Sequence, residues 1–138
     1  MSNHGPMNAV IVFIFLVVGL IHLLPVSGVW SNQALQTLYN VAPASADLSL
    51  LLRHRAVLFA IVGLMLIVAA FRRDLRLVAG VLGLLSMLSY LALFVLIRPQ
   101  NAALIRVFWI DVGAAAGLVL ALALHAWQAG QSTSLAAH

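Results

Sequence analysis

Asp111 stands inside the apolar run Phe108-Trp109-Ile110-Asp111-Val112-Gly113. A charged side chain near a bilayer centre costs roughly 2.5 to 3.5 kcal/mol unless a partner, a water-filled cavity or a ligand receives it. The groups able to do so are few: the chain has seven arginines, no lysine, no glutamate and no cysteine, so Asp47, Asp74 and Asp111 are its only carboxylate side chains. His22 lies near the end of the first hydrophobic stretch, Arg53-His54-Arg55 early in the second, Tyr90 late in the third, and Asn101 and Arg106 early in the last. Arginine presents a fork of donors suited to carboxylate or phosphate and stays protonated in poor solvent. Arg53 and Arg55, with Asn101 and Arg106 opposite, are therefore candidates for holding the headgroup of a membrane lipid or another amphiphilic anion, as basic pockets between helices do. Asp111 with His22 or His54 would add a proton donor and acceptor, because histidine titrates near neutrality, and Tyr90 would add a hydroxyl.

These groups permit isomerisation, hydration or proton-coupled movement, the work of a small membrane enzyme or a carrier. A proton-coupled homo-oligomeric transporter is a second reading, and an accessory subunit of a larger membrane complex a third. Haem held between His22 and His54, with arginines meeting its propionates, belongs with the third, so the cofactor stays open. A metal bound by His22, His54 and Asp111 has suitable ligand types but no diagnostic spacing. Ser86 and Ser89 lack a G-x-S-x-G setting.

The elements that must position these residues follow from composition. With 64% hydrophobic and 7% charged residues and a mean hydropathy of +1.14, the 138-residue chain reads as an integral membrane protein. Four stretches, at about 8–24, 46–71, 75–97 and 102–126, reach the roughly 20 residues a helix needs to cross the hydrocarbon. Backbone groups in lipid must be satisfied within each segment, so the expected fold is an all-α four-helix bundle forming one transmembrane domain. The first stretch lacks the positive flank of a secretory signal and is read as a retained helix. Pro25, Ser27 and Gly28 end the first helix, and Pro99 ends the third. At about 31–41, Leu35, Leu38, Tyr39 and Val41 share one face and Ser31 can cap the turn. This segment predicts a short interfacial helix over the mouth of the bundle, with Trp30 and Tyr39 in the aromatic belt.

A net charge of +4 dispersed along the chain argues against nucleic-acid binding. Arg72-Arg73-Asp74-Leu75-Arg76 is the densest basic loop and is assigned to the cytoplasmic side of a bacterial inner membrane, which makes both termini cytoplasmic. Arg53, Arg55, Arg98 and Arg106 then lie toward the outer side. With Ser45 or Asp47 capping the second helix, Arg53-His54-Arg55 sits roughly 12 Å along it, and Asp111 lies at comparable depth.

Rotation of about 100° per residue sorts the faces. Arg53, Ala56, Ala60 and Gly63 form a small-residue stripe that points Arg53 inward, while His54 and Arg55 fan away from it. Gly80, Gly83, Met87, Tyr90 and Phe94 share a side of the third helix. Arg106 aligns with Gly113 and Gly117, a G-x-x-x-G pair that offers a surface to a neighbouring helix or a second copy. Asp111 groups with Ala114, Ala115 and Leu118, about 140° from Arg106, so its expected partner is Arg53, Arg55 or His54 across the bundle. Plainer roles stand beside each of these: a register-fixing salt bridge for Asp111 and Arg53, interfacial histidines for His22 and His54, and interface anchoring for Arg98, Asn101 and Arg106. Trp109 and Trp127 are expected to mark the two interfaces.

The run Gly19-Leu20-Ile21-His22-Leu23-Leu24-Pro25, then Leu51-Leu52-Arg53-His54-Arg55-Ala56-Val57-Leu58-Phe59, then Asn101-Ala102-Ala103-Leu104-Ile105-Arg106 before Asp111, resembles a group of small uncharacterised four-helix bacterial inner-membrane proteins. The resemblance covers most of the chain and implies a fold and a cell location. Some of those proteins carry the label phosphopantetheine adenylyltransferase. Enzymes of that activity are soluble α/β proteins with an H-x-G-H nucleotide motif, and none of His4, His22, His54, His125 or His138 begins one, so the label does not carry over.

Overall fold

In the computed structural model, which describes residues 4–40 and 45–136, five α-helices follow one another: α1 His4–Leu23, α2 Asn32–Tyr39, α3 Ala46–Phe71, α4 Arg76–Ile97 and α5 Ala102–Ala136. Four of them are long and apolar enough to cross a membrane, and α2 is the short exception. The fold is an all-α four-helix bundle. α1 packs on α3 and α5, and α4 packs on the same two helices from the other side.

Several boundaries differ from those the sequence suggests. α1 begins at His4, ahead of the apolar run, because Pro6 falls in the first turn, where its missing N–H costs nothing. After Leu23 the chain tightens into a 3-10 turn, Leu24–Val29, with Pro25 at its start. α5 continues to Ala136, about ten residues past the expected end of the apolar stretch at 126, since leaving the hydrocarbon does not break a helix that contains no proline.

Ser31 caps α2 as expected, its hydroxyl accepting from Ala34 N at 3.0 Å, and of the two candidates for α3 it is Ser45, not Asp47, that caps, accepting from Leu48 N at 3.1 Å. Of the apolar face proposed for α2, the side chains of Leu35, Tyr39 and Val41 lie outside the described residues; Leu38 is half-buried and Trp30 exposed.

The core is a stack of inward stripes. Ile11, Phe15 and Val18 on α1 meet Leu66, Ala69 and Ala70 on α3, Ala79 and Met87 on α4, and Ala114, Ala115, Leu118 and Ala121 on α5. Lipid is as apolar as these side chains, so tight packing rather than water exclusion holds the helices together, and small residues allow it. The closest approach joins α1 to α3. A Cβ built on Gly63 would lie 2.8 Å from the Gly19 carbonyl oxygen, and one on Gly19 2.9 Å from that of Gly63. The Leu122 and Leu118 side chains of α5 pack over Gly80 and Gly83 of α4, seating one helix on the other.

The expected basic loop between α3 and α4 requires one correction. Arg72 and Arg73 are exposed, with Arg72 paired to Asp74 at 2.8 Å, but Arg76 is only 1% exposed. Its guanidinium donates to Ala69 O at 3.3 Å, Ala70 O at 2.9 Å and Asn8 Oδ1 at 3.0 Å. Those two carbonyls belong to the last turn of α3 and have no helical donor, so Arg76 closes the end of α3 and ties it to α1.

α4 ends on Arg98 in the left-handed region, φ 52° and ψ 56°, immediately before Pro99. A side chain costs about 1 kcal/mol there relative to glycine. Arg98→Gly is expected to raise the thermal midpoint in mild detergent, followed by circular dichroism at a helix wavelength, whereas Arg98→Ala should give no such gain.

Candidate functional site

The inward stripe of α1 continues past Ile11, Phe15 and Val18 to His22, and that of α5 begins at Asp111 before Ala114, Ala115 and Leu118. Both polar residues thus occupy core positions, 3% and 8% exposed. Between them the packing opens into a cavity of about 280 Å³. Its polar lining consists of His22, Thr37, Arg55, Arg106 and Asp111; Leu24, Pro25 and Leu38 close it from the 3-10 turn and α2.

Each charged group arrives by a separate route. On α5 the lining residues are Ala103, Arg106, Val107, Ile110 and Asp111, a single stripe whose two edges are Arg106 and Asp111. Their angular separation therefore does not keep them apart: the cavity is as wide as the stripe. On α3 the lining residues are Arg55 and Phe59. The Arg55 guanidinium lies 5.0 Å from the centre of the Phe59 ring and 5.6 Å from that of Tyr90, and Phe59 in turn sits 5.6 Å from the His22 ring. These contacts hold an arginine over aromatic faces.

Among the described residues Asp111 makes no ion pair and no hydrogen bond, and the charge acting on it is that of Arg55. His22 Nδ1 lies 2.9 Å from Val18 O, and among the described residues Nε2 is buried without a partner. With Asp111 ionised and His22 neutral, Arg55 and Arg106 leave the cavity with an excess of one positive charge, the least it can carry.

A second, more open groove of about 500 Å³ adjoins the first and shares Arg55 and Phe59 with it. Its other lining groups include Leu58, Leu93, Phe94, Ile97 and Leu104, and several of these are exposed on the outer surface of the bundle. A polar chamber and an apolar trough thus meet at one arginine.

Several candidate residues take other places. Arg55, off the stripe that carries Ala56 and Gly63, lines both spaces together with Phe59, while Gly63 faces α1. Arg53 is half-buried and does not line the cavity. His54 is exposed, so it meets neither His22 nor Asp111, and the three do not form a metal cluster. Tyr90 lines the apolar groove instead, with its hydroxyl donating to Leu104 O at 3.0 Å. Asn101 caps α5, its Oδ1 accepting from Ala103 N at 2.9 Å while Nδ2 donates to Asn40 O at 3.4 Å. Gly113 and Gly117 part company: a Cβ on Gly117 would touch Ile14 at 3.7 Å, and one on Gly113 would meet nothing.

Thr37 and Phe59 are lining residues that no sequence motif singles out. Comparisons with known protein families, curated proteins and solved structures give no match to this chain.

Proposed function

We propose that the chain binds an amphiphilic anion, with its head in the cavity of His22, Arg55, Arg106 and Asp111 and its tail in the adjoining groove, as a small membrane enzyme or a carrier. The observation that carries this reading is the junction of the two spaces at Arg55. A guanidinium there can grip a phosphate or carboxylate while the neighbouring apolar walls accept hydrocarbon.

Depth supports it. The exposed Trp109 and Trp127 are 18 residues apart on α5, about 27 Å at 1.5 Å per residue, close to one hydrocarbon thickness. Asp111 is half a turn inside Trp109, the level of a lipid's headgroup and not the bilayer centre. The exposed Arg72 and Arg73 at the opposite end support placement in a bacterial inner membrane with both termini cytoplasmic.

Native mass spectrometry of protein extracted in mild detergent tests the binding. Wild type is expected to retain an anionic amphiphile, and Arg55→Gln to reduce the retained fraction about tenfold, the effect of losing one charge-assisted bond. Asp111→Asn should keep or raise retention, because it removes the one negative charge in the lining. Equal retention by wild type and Arg55→Gln would rule the site out.

A further inference from the structure

We infer, resting on the anion-binding reading above, that the ligand's head carries a primary ammonium beside its anionic groups, as a phosphoserine head does: Asp111 receives the ammonium while Arg55 and Arg106 hold the phosphate and the carboxylate. Asp111 is only 8% exposed and, among the described residues, makes no hydrogen bond and no ion pair. Its two oxygens are nonetheless not sealed into the packing in the way that Nε2 of His22 is, so they can be reached from the chamber that Asp111 lines. An ionised carboxylate only accepts hydrogen bonds, and one left unmet in so dry a place is a standing cost that an incoming donor removes.

Neither guanidinium of the chamber answers that carboxylate from within. Arg106 stands at the other edge of the same α5 stripe, about 140° away at about 100° per residue, and Arg55 comes from α3 with its guanidinium laid 5.0 Å from the Phe59 ring and 5.6 Å from that of Tyr90. The lining thus keeps two positive groups apart from one negative group around a single space, which a head of uniform charge meets badly. An anion alone is drawn by the arginines and repelled by Asp111, and a cation alone suffers the reverse. A head with two anionic groups and one ammonium matches the lining group for group, and its single net negative charge answers the chamber's excess of one positive. An ammonium suits the acid better than a hydroxyl, because it brings three N–H donors and a charge, and charge-assisted bonds are roughly twice as strong as neutral ones. A metal ion is a poorer occupant, since among the described residues no cluster of three acids or histidines is present to hold one.

Two lipids with the same acyl chains, phosphate and carboxylate separate the alternatives. Phosphatidylserine carries the ammonium; phosphatidyl-3-hydroxypropionate is the same head with a hydrogen in its place. Each is titrated into the detergent-solubilised full chain, and retention is read by native mass spectrometry against diacylglycerol, which has neither phosphate nor amine, as the baseline. Phosphatidylserine is expected to be retained roughly tenfold over its amine-free match, and both above the baseline. Bulk attraction to a positive chamber favours the opposite order, because the match bears one more negative charge. In Asp111→Asn the match should gain and the preference vanish. Equal retention of the two by wild type, or more of the match, overturns the role of Asp111 and leaves the anion site standing; a preference that persists in folded Asp111→Asn overturns it too. Should neither lipid exceed diacylglycerol, the anion-binding reading itself falls. Among the described residues no other acid lines the chamber, so the wild-type order carries the assignment even where Asp111→Asn does not fold.

Discussion

Gly63→Leu is expected to destabilise the bundle by about 3 kcal/mol, the upper end of what overpacking costs, because the new side chain meets backbone that cannot rotate away. A Cβ alone would stand 2.8 Å from the Gly19 carbonyl, with the His22 and Leu23 side chains both at 3.1 Å. α1 and α3 must separate to admit it. The separation would reach the cavity as well, since His22 is one turn above Gly19 on the same helix. Unfolding in a titration of SDS against mild detergent, followed by circular dichroism, measures the loss. Gly113→Leu supplies the contrast: nothing lies within 4 Å of a Cβ at that position, so its midpoint should stay within about 0.5 kcal/mol of wild type. Equal sensitivity at the two glycines would mean that the α1–α3 crossing is not the tight point of the fold.

Arg76→Met should be nearly as damaging, at about 3 kcal/mol, although it replaces a buried charge with a flexible apolar chain of similar length. The reason is what stays behind. Ala69 O and Ala70 O lose their donor in a buried setting and Asn8 Oδ1 in a half-buried one, and an unmet buried acceptor costs about 1 to 3 kcal/mol. Arg76→Lys would retain the charge but cannot present donors to three acceptors in the plane of a fork, so it should recover only part of the difference. The same SDS titration reads both variants. A Met variant as stable as wild type would show that the end of α3 finds other donors.

The fold was legible in the sequence because its strongest signals are local. Apolar length marks the spans, Ser31 and Ser45 announce two helix starts, and the stripe through Ala56 and Gly63 marks a close approach. Rotation about the helix axes was much less legible. In water an apolar stripe identifies the buried face, but in a membrane the outward face is apolar too, so no contrast orients the helix. Arg55 illustrates the difficulty: only the presence of neighbours on two sides of α3 shows how it comes to line a cavity while Ala56, one residue along, is buried.

Polar residues invite a similar error. Arg76 stands among loop arginines in the sequence and nothing in its neighbours separates it from Arg72 and Arg73; its burial depends on Asn8, 68 positions earlier. Asn101 and Tyr90 carry the same donor and acceptor groups whether they meet a ligand or a backbone. Their bonds to Asn40, Ala103 and Leu104 depend on how a loop folds back. The nearness of His22 to Asp111 was suggested by depth alone, and it is the core registers of α1 and α5 that bring both to one chamber.

The trough beside Arg55 is open along its flank, with Leu58, Leu93 and Ile97 bare to the surroundings. Anything that fills it from the side is drawn from the bilayer's own two-dimensional stock, so its supply is counted per lipid and not per litre. Diluting the cells or the vesicles would leave occupancy unchanged, whereas altering the leaflet's make-up would change it directly. A weak grip then suffices, provided the guest is abundant among its neighbours.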